Sequence, residues 1–165
     1  MIRPYRSDDR AVVLEINEAN VPDVGPLDDA KLDLLLDEAV LFLVVEVDEV
    51  IVGLMILLGP GGQYPSPNYR WFSEHYEDFL YVDRIALAEA ARGQGWGPAL
   101  YGQFEATARE RSVDVMTAEV NTVPLNERSL RFHAISGFEE VARCQPYGGH
   151  EEVAMLVKAV LPLPV

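Results

Sequence analysis

The sequence predicts an α/β domain built on a mixed β-sheet, and three observations carry that prediction. Two apolar runs rich in Val, Ile, Leu and Phe, residues 40–47 and 50–58, are separated only by Asp48-Glu49 and read as a β-hairpin. Between residues 79 and 144, strand-like runs alternate with segments of helical periodicity, giving two strand–helix–strand crossovers. The 165 residues, 49% apolar and 24% charged, have an ordinary globular balance. They suffice for one domain over 1–165 whose core needs neither disulfide nor metal. The predicted order is β, α, α, β, β, β, α, β, α, β, β.

Residues 1–5 read as a short edge strand, because Pro4 is tolerated only at an edge or a strand end. Ser7 before Asp8 and Asp9 reads as a helix N-cap with acids in the first turn. Val12, Val13, Ile16 and Ala19 then form the apolar stripe of that helix. Two prolines and Gly25 within residues 20–26 break it. Residues 27–39 form a second amphipathic helix with Leu32, Leu35 and Leu36 on one side. The hairpin follows, and its nearly continuous apolar runs imply a sheet covered on both faces. Gly59-Pro-Gly-Gly opens a loop to about residue 68, after which Tyr69, Trp71, Phe72, Tyr76 and Phe79 crowd a short helical segment. Two readings of these aromatics stay open, the wall of a substrate pocket and a local cap on the core. Next come a strand at 79–87, a glycine-rich turn at 92–97, a helix at 98–111 and a strand at 113–121 that ends near Glu119 and Asn121. Asn126 is a good N-cap for a helix running through Leu130, Phe132 and Ile135 to Gly137, the expected C-cap glycine. Residues 138–144 and 151–160 make the final strand pair, and the tail 161–165 reads as extended.

The net charge of −14 repels nucleic acid and anionic membranes, so neither is expected as a partner. A cationic substrate and a plain solubility bias both account for it. The single Cys144 excludes an internal disulfide and a cysteine zinc site, which fits a reducing cytoplasm. No apolar run approaches ~20 residues, so no membrane span is expected. The first residues lack the apolar stretch of a signal peptide. His75 and His150 lack partners at ligand spacing, so no metal is expected.

The glycine-rich turn carries the functional signal. A turn that opens a helix presents backbone N–H groups at the positive end of a helix dipole, a natural seat for phosphate. A Walker loop needs a Gly-Lys-Ser/Thr that this chain lacks, and a dinucleotide fingerprint needs a third glycine where Pro98 stands. What remains is Arg92-x-x-Gly95-x-Gly97 between a strand and a helix. Further along lies Asn126-x-x-Ser129-Leu-x-Phe132-His133-x-x-x-Gly137-Phe138. Together these resemble the two signatures of the GNAT superfamily of acetyl-CoA-dependent N-acetyltransferases. Ile2-Arg-Pro with Asp8, and the hairpin ending Val52-Gly53, resemble the family's start and second hairpin. Asp83-Arg84, Glu119-Val-Asn121 and Phe132-His133 are similar to a little-characterised bacterial subgroup.

The resemblance implies a mixed, mostly antiparallel sheet with splayed fourth and fifth strands and helices on both faces. It implies acetyl-CoA as co-substrate, with pantetheine in the splay against Ile85, Ala86 and Leu87. Arg92, Gly93, Gln94, Gly95, Trp96 and Gly97 would cradle the pyrophosphate, and Asn126 and Ser129 of the second signature would also contact the cofactor. The acidic surface opposes a polyanion only weakly, because screening acts over ~8 Å and Arg92 is local. The implied reaction is direct attack by a primary amine in a ternary complex, with the oxyanion met by a backbone N–H. Asp83 and Glu119 are candidate bases, with substrate anchoring or an ion pair to Arg84 as their other reading. Many relatives use a tyrosine as acid where this chain has His133, so His133 is either the acid or a hydrogen-bonding partner. The acceptor is expected to be a small-molecule amine. A protein N-terminus or lysine, a non-catalytic acyl-CoA sensor and a homodimer through the final strands are the other expectations.

Overall fold

Strand pairing sets the architecture in a computed structural model, which describes residues 1–160; the expected extended tail lies outside the described residues. The strands are β1 (Ile2–Pro4), β2 (Ala39–Val47), β3 (Val50–Leu58), β4 (Phe79–Leu87), β5 (Val115–Val123), β6 (Glu139–Cys144) and β7 (Glu152–Ala159). They form one sheet in the order β1-β2-β3-β4-β5-β7-β6. Every neighbouring pair is antiparallel except β4 with β5, so the sheet is mixed and mostly antiparallel.

Side chains alternate across these strands, and each face has its own helices. On one side lie α1 (Arg10–Glu18), α2 (Asp29–Glu38) and α3 (Pro67–His75). Their Val13, Ile16, Leu32, Leu35, Tyr69 and Phe72 are buried with Val44, Leu54, Ile56, Phe79 and Tyr81 of the sheet. The other side carries α4 (Trp96–Glu110) and α5 (Glu127–Ile135). There Leu100, Phe104 and Ala108 are buried with Leu43, Val45, Met55, Leu57, Leu80 and Met116. Cover on both faces accounts for the unbroken apolar runs in β2 and β3. The aromatic cluster resolves toward the core, since Tyr69, Phe72 and Phe79 are buried within it. Trp71, by contrast, stacks on His75 with ring centroids 3.8 Å apart.

Two local expectations are corrected. Ser7 does not cap α1. A short 3-10 turn, Ser7–Asp9, precedes that helix, and no side-chain cap from Ser7 is present. Asp9 instead takes a bidentate pair from Arg3 at 2.8 and 2.9 Å and the Arg6 backbone N–H at 2.8 Å. A charge-assisted fork outcompetes a neutral hydroxyl cap. Arg3 accordingly holds the Asp9 carboxyl below the usual carboxylate range. The stripe of α1 also does not continue to Ala19, which is exposed; Asn17 and Asn20 occupy the buried positions. The cap at Asn126 stands as expected, accepting the Ser129 N–H at 3.2 Å.

The feature that matters for function is where β4 and β5 part. They pair only at Phe79↔Val115, Leu80↔Met116 and Tyr81↔Thr117. Beyond Tyr81, β4 follows β3, with Ile85↔Met55, Ala86↔Leu54 and Leu87↔Gly53. β5 follows β7 through Asn121↔Val153. The fourth and fifth strands are thus splayed, and among the described residues no strand lies between their facing edges.

Candidate active site

The splay opens into a cavity of about 780 Å³ that reaches from the glycine-rich turn to the 20–26 loop and the 145–151 loop. One end is built for an anion. Gly93 and Gly95 stand at φ 74° and 86°, a conformation open to glycine at no steric cost, and no atom lies within 4 Å of where a Cβ would sit on either. The N–H groups of Gly93, Gln94 and Gly95 donate to no backbone carbonyl among the described residues. Those of Trp96 and Gly97 begin α4, where no intrahelical acceptor exists. Arg92 adds charge and is held by Asn20, whose Oδ1 accepts from Nη2 at 2.9 Å. The Asn20 amide also donates to the carbonyls of Ile16 at 2.8 Å and Leu87 at 3.1 Å. One buried asparagine thereby ties the end of α1, the end of β4 and the arginine together.

The middle of the cavity holds Tyr101 and His133. The Tyr101 hydroxyl lies 2.5 Å from His133 Nε2. His133 Nδ1 lies 2.7 Å from the Ser129 carbonyl, which can only accept, so Nδ1 carries the proton and Nε2 accepts from Tyr101. Only 3% of His133 is exposed, and burial lowers its pKa from the ordinary value. Burial likewise pushes the Tyr101 hydroxyl well above the ordinary phenol range, so it stays an O–H donor. At neutral pH the pair is therefore a neutral imidazole accepting from a neutral phenol.

The far end gathers the acids. Asp83 is tied to Arg84, with Nε donating to Oδ2 at 2.8 Å and both side chains almost fully buried. Arg84 Nη1 also donates to Asn17 Oδ1 at 2.8 Å and to the Gly25 carbonyl at 3.2 Å. Glu119 Oε1 accepts from the Tyr81 hydroxyl at 2.9 Å and from Asn68 Nδ2 at 3.2 Å. Its Oε2, and Asn68 Oδ1, are shut from solvent and have no partner. Burial first, and the Asp83 charge second, push the Glu119 carboxyl up to about 8.

Among the residues expected from sequence, Asp83, Ile85, Ala86, Leu87, Arg92, Gly93, Gly95, Gly97, Glu119, Asn126, Ser129 and His133 line this one cavity. Gln94 and Trp96 do not. Gln94 donates to the Ala90 carbonyl at 2.7 Å, and Trp96 packs against the α4 side of the core. Leu87 offers only part of the expected backbone contact, because Asn20 already occupies its carbonyl. Sequence reasoning missed Asn17, Asn20, Tyr64 and Tyr101. A signal existed for the asparagines, since positions 13, 16, 17 and 20 share a helix face and a polar residue there is buried. None existed for Tyr101, whose helical position is indistinguishable from a core aromatic.

A model of the acetyltransferase (GNAT) family matches residues 10–138. Three solved structures align over most of their length. The ribosomal-protein-S18-alanine N-acetyltransferase of Escherichia coli is 15% identical with a TM-score of 0.75, covering 100% of this chain and 96% of its own. Ard1 of Thermoplasma volcanium is 22% identical with a TM-score of 0.76, covering 98% and 97%. The ribosomal-protein-alanine N-acetyltransferase of Brucella melitensis is 24% identical with a TM-score of 0.71, covering 96% and 99%. At these identities the likeness is one of fold. No curated protein matches the chain in sequence.

Proposed function

The chain belongs to the acetyltransferase (GNAT) family, and from that premise we propose that it moves an acetyl group from acetyl-CoA to a primary amine, most simply a small molecule, by direct attack in a ternary complex. The observation that carries this reading is one continuous cavity with an anion seat at one end and an unpartnered carboxyl at the other. Acetyl-CoA supplies an activated acyl carbon. The donor set suits it: unpaired N–H groups of the 93–97 turn and Arg92 for the pyrophosphate, and the unpaired edge of β4 at Ile85 and Ala86 for the pantetheine amides. We assign proton removal from the arriving ammonium to Glu119. A carboxyl titrating near 8 lies far closer to an alkylammonium, near about 10, than an ordinary carboxylate does. We assign the hydrogen bond to the leaving sulfur to Tyr101, with His133 as its acceptor. Of the two readings of His133, acid and hydrogen-bonding partner, we take the second and make it a positioning residue. We propose the cytoplasm, where acetyl-CoA is available, as its compartment.

The test is thiol release from acetyl-CoA with a panel of primary amines that includes short peptides. Release with small amines supports the reading. Release only with peptides would shift the acceptor to a protein N-terminus or lysine; two of the similar structures are named as acetyltransferases of a ribosomal-protein alanine. Tight CoA binding without release from any amine would overturn it in favour of a sensor. The anion seat has its own test. Gly95→Ala costs about 1–2 kcal/mol in the left-handed conformation, so the free turn relaxes away from it and CoA binding has to restore it. CoA affinity by calorimetry should fall roughly tenfold, with kcat at saturating acetyl-CoA near wild type.

A further inference from the structure

The acceptor end of the cavity carries both signs: Asp23, Asp83, Glu119 and Glu151 line it together with Lys31 and Arg84. Arg84 is balanced by Asp83, and Glu119 is mostly uncharged at pH 7. Lys31 has no such balance. Its side chain reaches from α2 into the cavity and lies 6.0 Å above the Tyr64 ring. Its Nζ sits 3.9 Å from the place a Cβ would occupy on Gly25, the residue whose carbonyl Arg84 also binds. Among the described residues the Lys31 ammonium forms no ion pair and donates no hydrogen bond; Asp28 meets only the Lys31 backbone N–H, at 2.8 Å. The Arg84 guanidinium spends Nε and Nη1 on Asp83, Asn17 and Gly25, and its remaining side faces the Tyr64 side chain. Lys31 and Arg84 thus converge on one wall, beside Gly25 and Tyr64. Glu119 and Asn68 line the same cavity, and their Oε2 and Oδ1 lie just beneath its surface with no partner among the described residues.

We propose that this wall is a subsite for an anionic group, and that the acceptor is a primary amine bearing a carboxylate, of the amino-acid type. The amine meets the Glu119 carboxyl after a side-chain rotation brings an acceptor oxygen to the cavity surface, and the carboxylate meets Lys31 Nζ and the Arg84 guanidinium. Half-buried ammonium is costly without a counter-charge, and Lys31 bears that cost, its pKa lowered by burial first. A bound carboxylate supplies the missing charge. The net charge of −14 argues for cationic substrates at long range, yet at contact distance Lys31 and Arg84 outweigh a screened surface. This inference rests on the amine-acetylation reading above.

The experiment compares a set of L-amino acids, each with its own α-amide, and dipeptides with an acidic second residue, on wild type, Lys31→Met and Lys31→Arg. Binding is read by calorimetry with CoA present, and turnover by thiol release. Wild type should favour the carboxylate over the amide by ~10-fold or more, the size of one charge-assisted contact. Lys31→Met should bring that ratio close to one and leave the affinity for CoA unchanged, and Lys31→Arg should keep most of it. Comparing ratios between variants cancels the different basicity of acid and amide. Selective use of the dipeptides, with loss in Lys31→Met, would keep the subsite and identify its anion as a peptide side chain. Equal use of acid and amide by wild type, or equal loss of both in Lys31→Met, overturns the subsite while leaving amine acetylation intact. Lys31-dependent binding of carboxylates without thiol release from any amine keeps the subsite and overturns the acetylation reading. Neither binding preference nor release would remove both.

Discussion

Glu119→Gln is expected to lower kcat about 10²–10³-fold at pH 7 and to move the pH profile of the reaction. In wild type, kcat/KM should rise with pH and level off near 8, because the Glu119 carboxyl titrates at about 8 and only its ionised form accepts a proton. By that value roughly one molecule in ten is in the working form at pH 7. The variant has no base, so its rate should instead follow the acceptor's own deprotonation, and the gap to wild type should close as pH nears about 10. A variant that kept the limb near pH 8 would remove Glu119 from the chemistry. Folding offers a second readout with the sign fixed in advance. Because the folded carboxyl titrates above the ordinary value, its stability contribution is complete below about pH 4.5 and is lost as pH rises through about 8. Thermal midpoints of wild type should therefore fall across that window more steeply than those of Glu119→Gln. Asp83 is the weaker candidate for the base, since its carboxylate is already engaged by Arg84 at 2.8 Å.

Tyr101→Phe should lower kcat about 10–100-fold with little change in KM for either substrate, as expected for a donor that matters when charge reaches sulfur. The limb assigned to Glu119 should stay in place. His133→Phe should have a smaller effect, because it removes the acceptor that orients the hydroxyl and not the donor itself. The two readings of His133 separate on pH. An acid histidine would make kcat fall as pH passes its pKa, which burial puts below the ordinary value. A positioning histidine kept neutral by burial, with its tautomer fixed by the Ser129 carbonyl, gives no such fall between pH 6 and 8. If the wild-type profile did descend through pH 6, and that descent vanished in His133→Phe, the acid role would return to His133.

Much of this arrangement was legible in advance for a physical reason. Local rules act on neighbours in sequence, so the two-residue break at Asp48-Glu49, the Asn126 cap and the glycines of the 92–97 turn announce their structures directly. The donor end of the cavity is made of one such local segment, which is why its ligand class was readable. The cap at Ser7 failed because its competitor, Arg3 reaching Asp9, is a side-chain pair that no local pattern encodes. Tyr101 was invisible because α4 and α5 meet only in the folded chain, where they bring it to 2.5 Å from His133.

The sequence by itself determined the order of the elements, the cover on both faces of the sheet and the glycine-rich turn at the start of α4, all consequences of periodicity and backbone freedom. Only the tertiary structure decided which groups titrate unusually and which are left unpaired. Burial and charge at Glu119, His133 and Lys31 depend on residues far away in sequence: Asn68, Tyr81 and Asp83 for Glu119, Tyr101 for His133, and Arg84 for Lys31. The acceptor end is therefore a property of the packed chain, and its chemistry emerges where β4 and β5 part.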